Sequence, residues 1–212
     1  ILPEERWMAE GIEMADSIVF NPHKWLLTNF DCSAHYVKRP ESLIRTLSIL
    51  PEYLKSREQD QVIDYRDWSV PLGRRFRALK LWFVIRSYGV KGLQKIIRNH
   101  IKLAEYAATW IDEDPEFELV SPRSLSLLNF RFRPKNITKS ADIDLLNEDL
   151  LNRLNDSGRV YFTQNRVRGK FTIRWSIGQT NTQLKHVENA WSLIKRISSS
   201  LNQIDSARIN SD

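Results

Sequence analysis

Five consecutive residues, Asn21-Pro22-His23-Lys24-Trp25, place a primary amine beside an imidazole and ahead of an aromatic ring and the apolar Leu26 and Leu27. An amine set among apolar groups and next to a second cation has a reason to lose its proton, and a neutral amine is a nucleophile toward carbonyl carbon. The competing reading is a solvated lysine in a turn, the commoner fate of this residue type, and by pattern alone both stand. Other chemistry has less support. His23, His35, His100 and His186 show no ligand spacing with one another or with Cys32, the single cysteine, so no metal site is expected. Neither a Gly-rich phosphate loop nor a G-x-S-x-G nucleophile elbow is present.

The elements around the amine follow from residue period. Ser17–Phe20 is a β-prone run that stops at Asn21-Pro22, and Cys32–Val37 is a second, so His23–Asp31 is expected to be a tight connection held by sheet at both ends. From Arg39 to Tyr65 the pattern loses its period, turns polar and contains Pro40 and Pro51, which predicts a long loop of the functional kind with one short helix. Pro71 and Gly73 are expected to open a helix that Gly89 ends, and Leu93, Ile97, Ile101, Ala104, Ala108 and Ile111 trace the face of a second, stopped at Asp114-Pro115. The period then changes to alternation, with Leu128, Phe130 and Phe132 on one strand and Phe171, Ile173, Trp175 and Ile177 on another. Val160–Phe162 is read as a third strand. Ile143, Leu146, Leu150 and Leu154 give an amphipathic helix closed by Ser157-Gly158, and a Thr180-x-x-Gln183 capping box opens a last helix whose tail frays after Leu201. The chain divides near residues 80 to 90 into an N-terminal piece without a complete sheet and a C-terminal α+β unit.

Composition bounds the class. The 212 residues are 42% hydrophobic and 27% charged, an ordinary globular balance, with a net charge of +6. The basic excess lies between Arg66 and Lys102, interleaved with Trp68, Phe76, Trp82 and Tyr88. Phe76, Leu79 and Phe83 recur at helical spacing, which predicts aromatics facing a core and cations facing water or a partner's acidic surface rather than a nucleic acid. No apolar run approaches the roughly 18 to 20 residues that span a bilayer, and one cysteine forms no internal disulfide, so a cytoplasmic protein with no membrane partner is expected. The acidic N-terminus lacks the pattern of a secretory signal, and the start at Ile1 without methionine suggests a processed product or a portion of a longer protein.

The strings ADSIVFNPHKWLLTNFDCSAHYV, PEYLK and DYRDWSVPLGRRFRALKLWFVIRSYGVKGLQ closely resemble the group II pyridoxal-phosphate-dependent decarboxylases, nearest to the aromatic-L-amino-acid and tyrosine decarboxylases. The resemblance covers essentially the whole chain. It implies an α/β fold of the aspartate-aminotransferase type, working as a homodimer. Residues 1–85 would be the C-terminal end of the large cofactor-binding domain, with a catalytic loop at about 39–65, and residues 86–212 the small α+β domain. By position, Lys24 resembles the lysine that binds pyridoxal 5'-phosphate covalently, and Asn21 and His23 resemble residues beside the phosphate and the lysine. Trp25 resembles an aromatic near the catalytic loop, with a core tryptophan as the other reading. Tyr53 resembles the loop tyrosine that reaches the neighbouring subunit's site and returns a proton to carbon, with a plain surface tyrosine as the other reading. Gly73 falls where the family shapes its aromatic pocket.

The activity so implied is decarboxylation of an aromatic L-amino acid to its amine and carbon dioxide. Two alternatives stay open: an aromatic aldehyde synthase on the same scaffold, against which Tyr53 argues, and a truncated, non-catalytic dimerisation module. In the family the acid that meets the pyridine nitrogen, most of the phosphate-holding residues and the stacked histidine fall upstream of Ile1. The chain by itself is therefore expected to be inactive.

Overall fold

The computed structural model describes residues 1–49 and 63–209, with side chains as far as Leu201. They form two compact units, Ile1–Gln94 and Lys95–Asp212.

In the first unit, β1 (Ser17–Phe20) and β2 (Ala34–Val37) pair antiparallel, Ser17 opposite Val37 and Phe20 opposite Ala34. The strands end where expected because Asn21-Pro22 withdraws a donor from the ladder. A short helix, α1 (Pro40–Leu47), does form in the aperiodic stretch, with proline in its first turn, Glu41 near its positive end and Arg45 near its negative end. Helix α2 (Arg77–Glu113) starts later than Pro71 and Gly73 predict. Residues 69–76 stay outside it, with Arg74 donating to Ser69 Oγ at 2.7 Å, and glycine adds little drive to extend a helix backward. Gly89 breaks α2 as expected, with φ 66° and ψ 165°.

The expectation that the aromatics of this segment face a core is overturned. Phe76, Trp82 and Phe83 are 74%, 53% and 58% exposed, because no described residue of the first unit packs over that stripe. Helical spacing identifies a face but not what covers it.

The second unit closes its own core. Strands β3 (Phe117–Leu119), β4 (Leu127–Phe132), β5 (Thr163–Val167) and β6 (Lys170–Ser176) form an antiparallel sheet in the order β3-β4-β6-β5. Leu128, Phe130, Ile173 and Trp175 pack with Ala107 and Ile111 of α2, Leu150 and Leu154 of α3 (Ser140–Asp156), and Ile194 of α4 (Leu184–Ile209). Phe117 meets the edge of Trp191 at 4.9 Å between ring centroids, and Phe162 that of Trp175 at 5.4 Å.

Two asparagines of α3 complete the sheet's backbone bonding. Asn147, on the apolar stripe, accepts from Phe132 N–H through Oδ1 at 2.7 Å, while its Nδ2 donates to Phe132 O at 2.7 Å and Ile143 O at 2.8 Å. Asn155 does the same for Phe162, accepting from its N–H at 2.8 Å and donating to its carbonyl at 3.0 Å. That clamp explains why Val160–Phe162 is not the third strand. The Phe162 backbone is satisfied by a side chain, and pairing begins one residue later at Thr163, opposite Arg174.

β5 carries the almost wholly exposed sequence Thr-Gln-Asn-Arg-Val, so alternation does not mark it. Its register comes from the hairpin at Arg168-Gly169, where both residues have positive φ, 52° and 80°. The last helix also starts later than the Thr180 box predicts. Gln183 N–H donates to His186 Nδ1 at 3.1 Å, so the His186 ring caps the helix start, and the helix continues past Leu201 to Ile209. His100 of α2 is buried, with Nε2 3.1 Å from Gln179 O. Burial draws its pKa below the ordinary histidine value against the opposing pull of that hydrogen bond.

Candidate active site

The connection between β1 and β2 is pinned across its width, not only at its strand ends. Backbone bonds run from His23 N to Cys32 O at 3.2 Å, from Lys24 N to Asn21 O at 2.9 Å and from Thr28 N to Pro22 O at 3.2 Å. Pro22 and Thr28 are buried beneath the turn, and Leu27 takes a left-handed conformation, φ 55°, that reverses the chain. The His23 ring is held by the far side of the connection. Its Nδ1 lies 2.8 Å from the Cys32 carbonyl oxygen and 3.0 Å from the Cys32 N–H, and Phe30 meets the ring edge-on at 4.9 Å. Asn21 accepts from Ser33 Oγ through Oδ1 at 2.5 Å, which keeps its amide N–H groups for other partners.

A second set of contacts ties this turn to the start of α2. Arg77 Nε donates to Asp31 Oδ2 at 3.0 Å, Lys80 Nζ lies 3.9 Å from Asp31 Oδ1 and donates to Asn29 O at 3.0 Å, and Cys32 Sγ reaches Arg77 O at 3.7 Å. Desolvation pulls the Asp31 carboxyl upward, but the Arg77 hydrogen bond, together with the charges of Arg77 and Lys80, holds it below its ordinary value. The sequence reading missed this clamp. The available signal was a lone acid in an otherwise uncharged approach to β2, Thr28–Ser33, together with the basic run around Arg77.

On this frame Lys24 is exposed, and among the described residues its amine has no hydrogen-bond or ion-pair partner. The apolar cover expected for the amine is not found among the described residues, where Lys24 is exposed beside the half-buried Trp25, Leu26 and Leu27. Asn21, His23, Lys24 and Trp25 share one turn, with Trp25 half-buried. Gly73 stands open, and a Cβ built there would meet nothing within 4 Å. Tyr53 lies outside the described residues. Among the described residues no group of three or more His, Cys, Asp or Glu side chains is placed to hold a metal ion, and no helix is long and apolar enough to cross a membrane.

A pinned turn presenting an unengaged amine is suited to covalent capture of a carbonyl, and the turn lies within a segment that a family model matches. The pyridoxal-dependent decarboxylase conserved domain matches residues 1–133. This chain belongs to the pyridoxal-dependent decarboxylase family. It is 46% identical over 197 residues to a tryptophan decarboxylase of Camptotheca acuminata, covering 92% of this chain and 40% of that one. It is 44% identical over 203 residues to a phenylacetaldehyde synthase of Arabidopsis thaliana, covering 95% and 41%. Its fold matches the crystal structure of Oryza sativa TDC with PLP and tryptamine at a TM-score of 0.88 and 39% identity, over 94% of this chain and 42% of that one. The chain thus spans about 40% of the length of the relatives it matches. It has the α/β fold of these pyridoxal-dependent decarboxylases over that span.

Proposed function

We propose that this chain carries the lysine-bearing part of a carboxy-lyase that converts an aromatic L-amino acid to its amine and carbon dioxide, with Lys24 as the residue that binds pyridoxal 5'-phosphate. The observation that carries the reading is the exposed, unengaged Lys24 amine on a turn fixed by His23, Cys32 and Asp31, inside the segment that matches the family. The residues present fit the cofactor at its carbonyl end: a primary amine without a partner is what an aldehyde requires.

When bound, pyridoxal phosphate supplies a ring that accepts the electron pair left as the carboxylate departs. The chain's own residues bind and orient. Lys24 would hold the cofactor covalently through its Nζ, the group the turn leaves exposed. His23 is held through Nδ1 against the Cys32 backbone, beside the lysine, while Asn21 would turn its amide donors to phosphate oxygens. Tyr53 gives its phenolic proton to the carbon that has lost the carboxylate. Trp25 and Gly73 belong to the substrate pocket, where the missing Cβ leaves room for a ring. The tryptamine held by the Oryza sativa protein supports an aromatic substrate. Residues 1–85 are read as the end of the large domain, with a catalytic loop at about 39–65, and residues 86–212 as the small domain. A homodimer in the cytoplasm completes the reading, consistent with a single buried, free cysteine.

A second reading has its own support, the similarity to an aldehyde synthase, and Tyr53 is the residue that separates them. The test joins this chain behind the remaining N-terminal part of the Camptotheca acuminata relative. The chimera is desalted after loading with pyridoxal phosphate, then assayed for retained visible absorbance, amine, aldehyde and peroxide with L-tryptophan and L-tyrosine. Amine with no peroxide is expected, and Lys24→Ala loses both absorbance and turnover. Absorbance retained in Lys24→Ala sinks the assignment, and aldehyde with peroxide in the parent replaces decarboxylase by synthase.

A further inference from the structure

The charges at the start of α2 run against its dipole. The positive end of a helix favours carboxylates, yet the first turn of α2 has no acidic residue and carries Arg77 at its first position and Lys80 three residues on. Residues three apart are neighbours on a helix surface, so the two cations share a face. That face meets one limb of the turn that presents Lys24. Arg77 Nε donates to Asp31 Oδ2 at 3.0 Å, Lys80 Nζ donates to Asn29 O at 3.0 Å, and the Arg77 carbonyl takes Cys32 Sγ at 3.7 Å. Asp31, 46 residues away in the chain, supplies the anion that the first turn lacks.

The limb so held is the one that grips His23. Cys32, next to Asp31, presents both its backbone groups to the ring, N–H at 3.0 Å and carbonyl oxygen at 2.8 Å from Nδ1, and the same carbonyl accepts from His23 N–H at 3.2 Å. Lys24 follows directly, its N–H bonded to Asn21 O at 2.9 Å. Its own side chain corrects nothing, because among the described residues the amine has no hydrogen-bond or ion-pair partner. The place of the amine is therefore delegated to the backbone, and the backbone to Cys32. Of the two cations, Arg77 is the stronger link. Lys80 Nζ is 3.9 Å from Asp31 Oδ1, beyond hydrogen-bond reach, and its bond is to a carbonyl three residues before Cys32, whereas Arg77 touches both Asp31 and Cys32.

We propose that Arg77 is a positioning residue for Lys24: its guanidinium on Asp31 and its carbonyl on Cys32 Sγ set the Cys32 peptide against the His23 ring, and so fix the backbone that carries the Lys24 amine. The inference rests on the reading of Lys24 as the cofactor-binding lysine. Arg77 is given no contact with substrate, so its loss should fall on kcat and spare KM, the mark of misplaced reacting groups.

The test uses the chimera described above, loaded with pyridoxal phosphate, as parent, Arg77→Gln, Arg77→Lys, Arg86→Gln and Lys24→Ala. Arg77→Gln is expected to lower kcat by on the order of tenfold with KM within about twofold. Arg77→Lys, which keeps a cation in reach of Asp31, is expected to recover kcat to within about threefold of the parent. Arg86→Gln removes the same charge from the same helix, where Arg86 lies over Trp82, and is expected to stay within about twofold. In the 212-residue chain, independently of turnover, Arg77→Gln is expected to shift the His23 ring ¹⁵N resonances and weaken the ring-to-ring contacts of His23 with Phe30 in NMR spectra, with the amides of α3 and α4 unmoved. This arm decides if the Arg77→Gln chimera does not fold. Parent-like kcat in Arg77→Gln, no recovery in Arg77→Lys, or unmoved His23 ring signals would each overturn the role of Arg77 while leaving that of Lys24 standing. Visible absorbance retained in Lys24→Ala overturns both.

Discussion

Replacing Asn147 by alanine should be the most damaging single change of a polar side chain in the second unit. Its amide closes both backbone groups of Phe132, at 2.7 Å each, in a place where Phe132 and Asn147 are fully buried. No strand residue takes over that role, because the β4 to β6 ladder ends at Phe130 opposite Ile173. Truncation leaves one buried N–H and one buried carbonyl without partners, at roughly 1–3 kcal/mol each. Loss of the third bond, to Ile143 O, counts for little, because a helical carbonyl keeps its backbone partner. Alanine returns roughly 0.5 kcal/mol of helix propensity. The balance is a loss of about 3 kcal/mol. With a urea dependence of roughly 2 kcal/mol per molar, the unfolding midpoint of this unit should fall by about 1.5 M, and the Phe132 amide should exchange on the order of a hundredfold faster. Asn147→Leu, which restores volume but not the bonds, should be comparably destabilised. Asn152→Ala, on the exposed face of the same helix, should stay within about 0.5 kcal/mol of the parent. An Asn147→Ala midpoint indistinguishable from that of Asn152→Ala refutes the reasoning.

Asp31→Asn should release the Lys24 turn: amide exchange of residues 29–32 is expected to rise severalfold with α3 and α4 unaffected, and an unchanged exchange map would show that the Arg77 and Lys80 contacts do not hold it. Because the folded Asp31 carboxyl titrates below its ordinary value, the contact contributes fully above the usual carboxylate range and is lost as pH falls through the folded value, so the Arg77 Nε resonance should move at a lower pH than that of an ordinary aspartate's partner. His100 works in the opposite protonation state. Its folded pKa is lowered, so the unfolded chain binds the extra proton first, and stability of the second unit should decline as pH falls from about 6.5 toward the folded value and then level off. His100→Gln, which keeps an N–H for the Gln179 carbonyl, should flatten that slope in urea midpoints measured from pH 5 to 7.5; an unaltered slope would assign it to other groups.

The elements legible in advance are those whose pattern is enforced by burial on one face. Phe130 and Ile173 alternate with polar neighbours because one side of β4 and β6 meets the core, and Ile143, Leu146, Leu150 and Leu154 repeat at helical spacing because α3 lies on that same core. β5 fails that test for a physical reason: it is an edge strand with water on nearly all its side chains, and its register is written in the Arg168-Gly169 turn instead. Asn147 could have been noticed as a polar residue interrupting an apolar stripe, four positions after Ile143. Its partner could not, since nothing in the spacing says where β6 leaves β4.

At the site the balance is similar. Two β-prone runs flanking Asn21-Pro22-His23-Lys24-Trp25 suffice to place the amine on a turn between strands, and β1 and β2 place it there. What fixes that turn is a set of contacts between residues far apart in the chain, Asp31 with Arg77 and Lys80, and Cys32 with Arg77. A one-dimensional period carries no information about such pairs. The basic run near Arg77 reads as solvated surface until Asp31 is brought against it, and the aromatic stripe of Phe76, Trp82 and Phe83 reads as core until its exposure is seen. Both errors have one source. Amphipathic spacing reports that a helix has two faces, whereas the identity of what each face meets is a property of the tertiary arrangement. The same distinction separates the expectation for Lys24, drawn from its neighbours in sequence, from its fixed presentation, which depends on a carboxylate seven residues later and a guanidinium on another element.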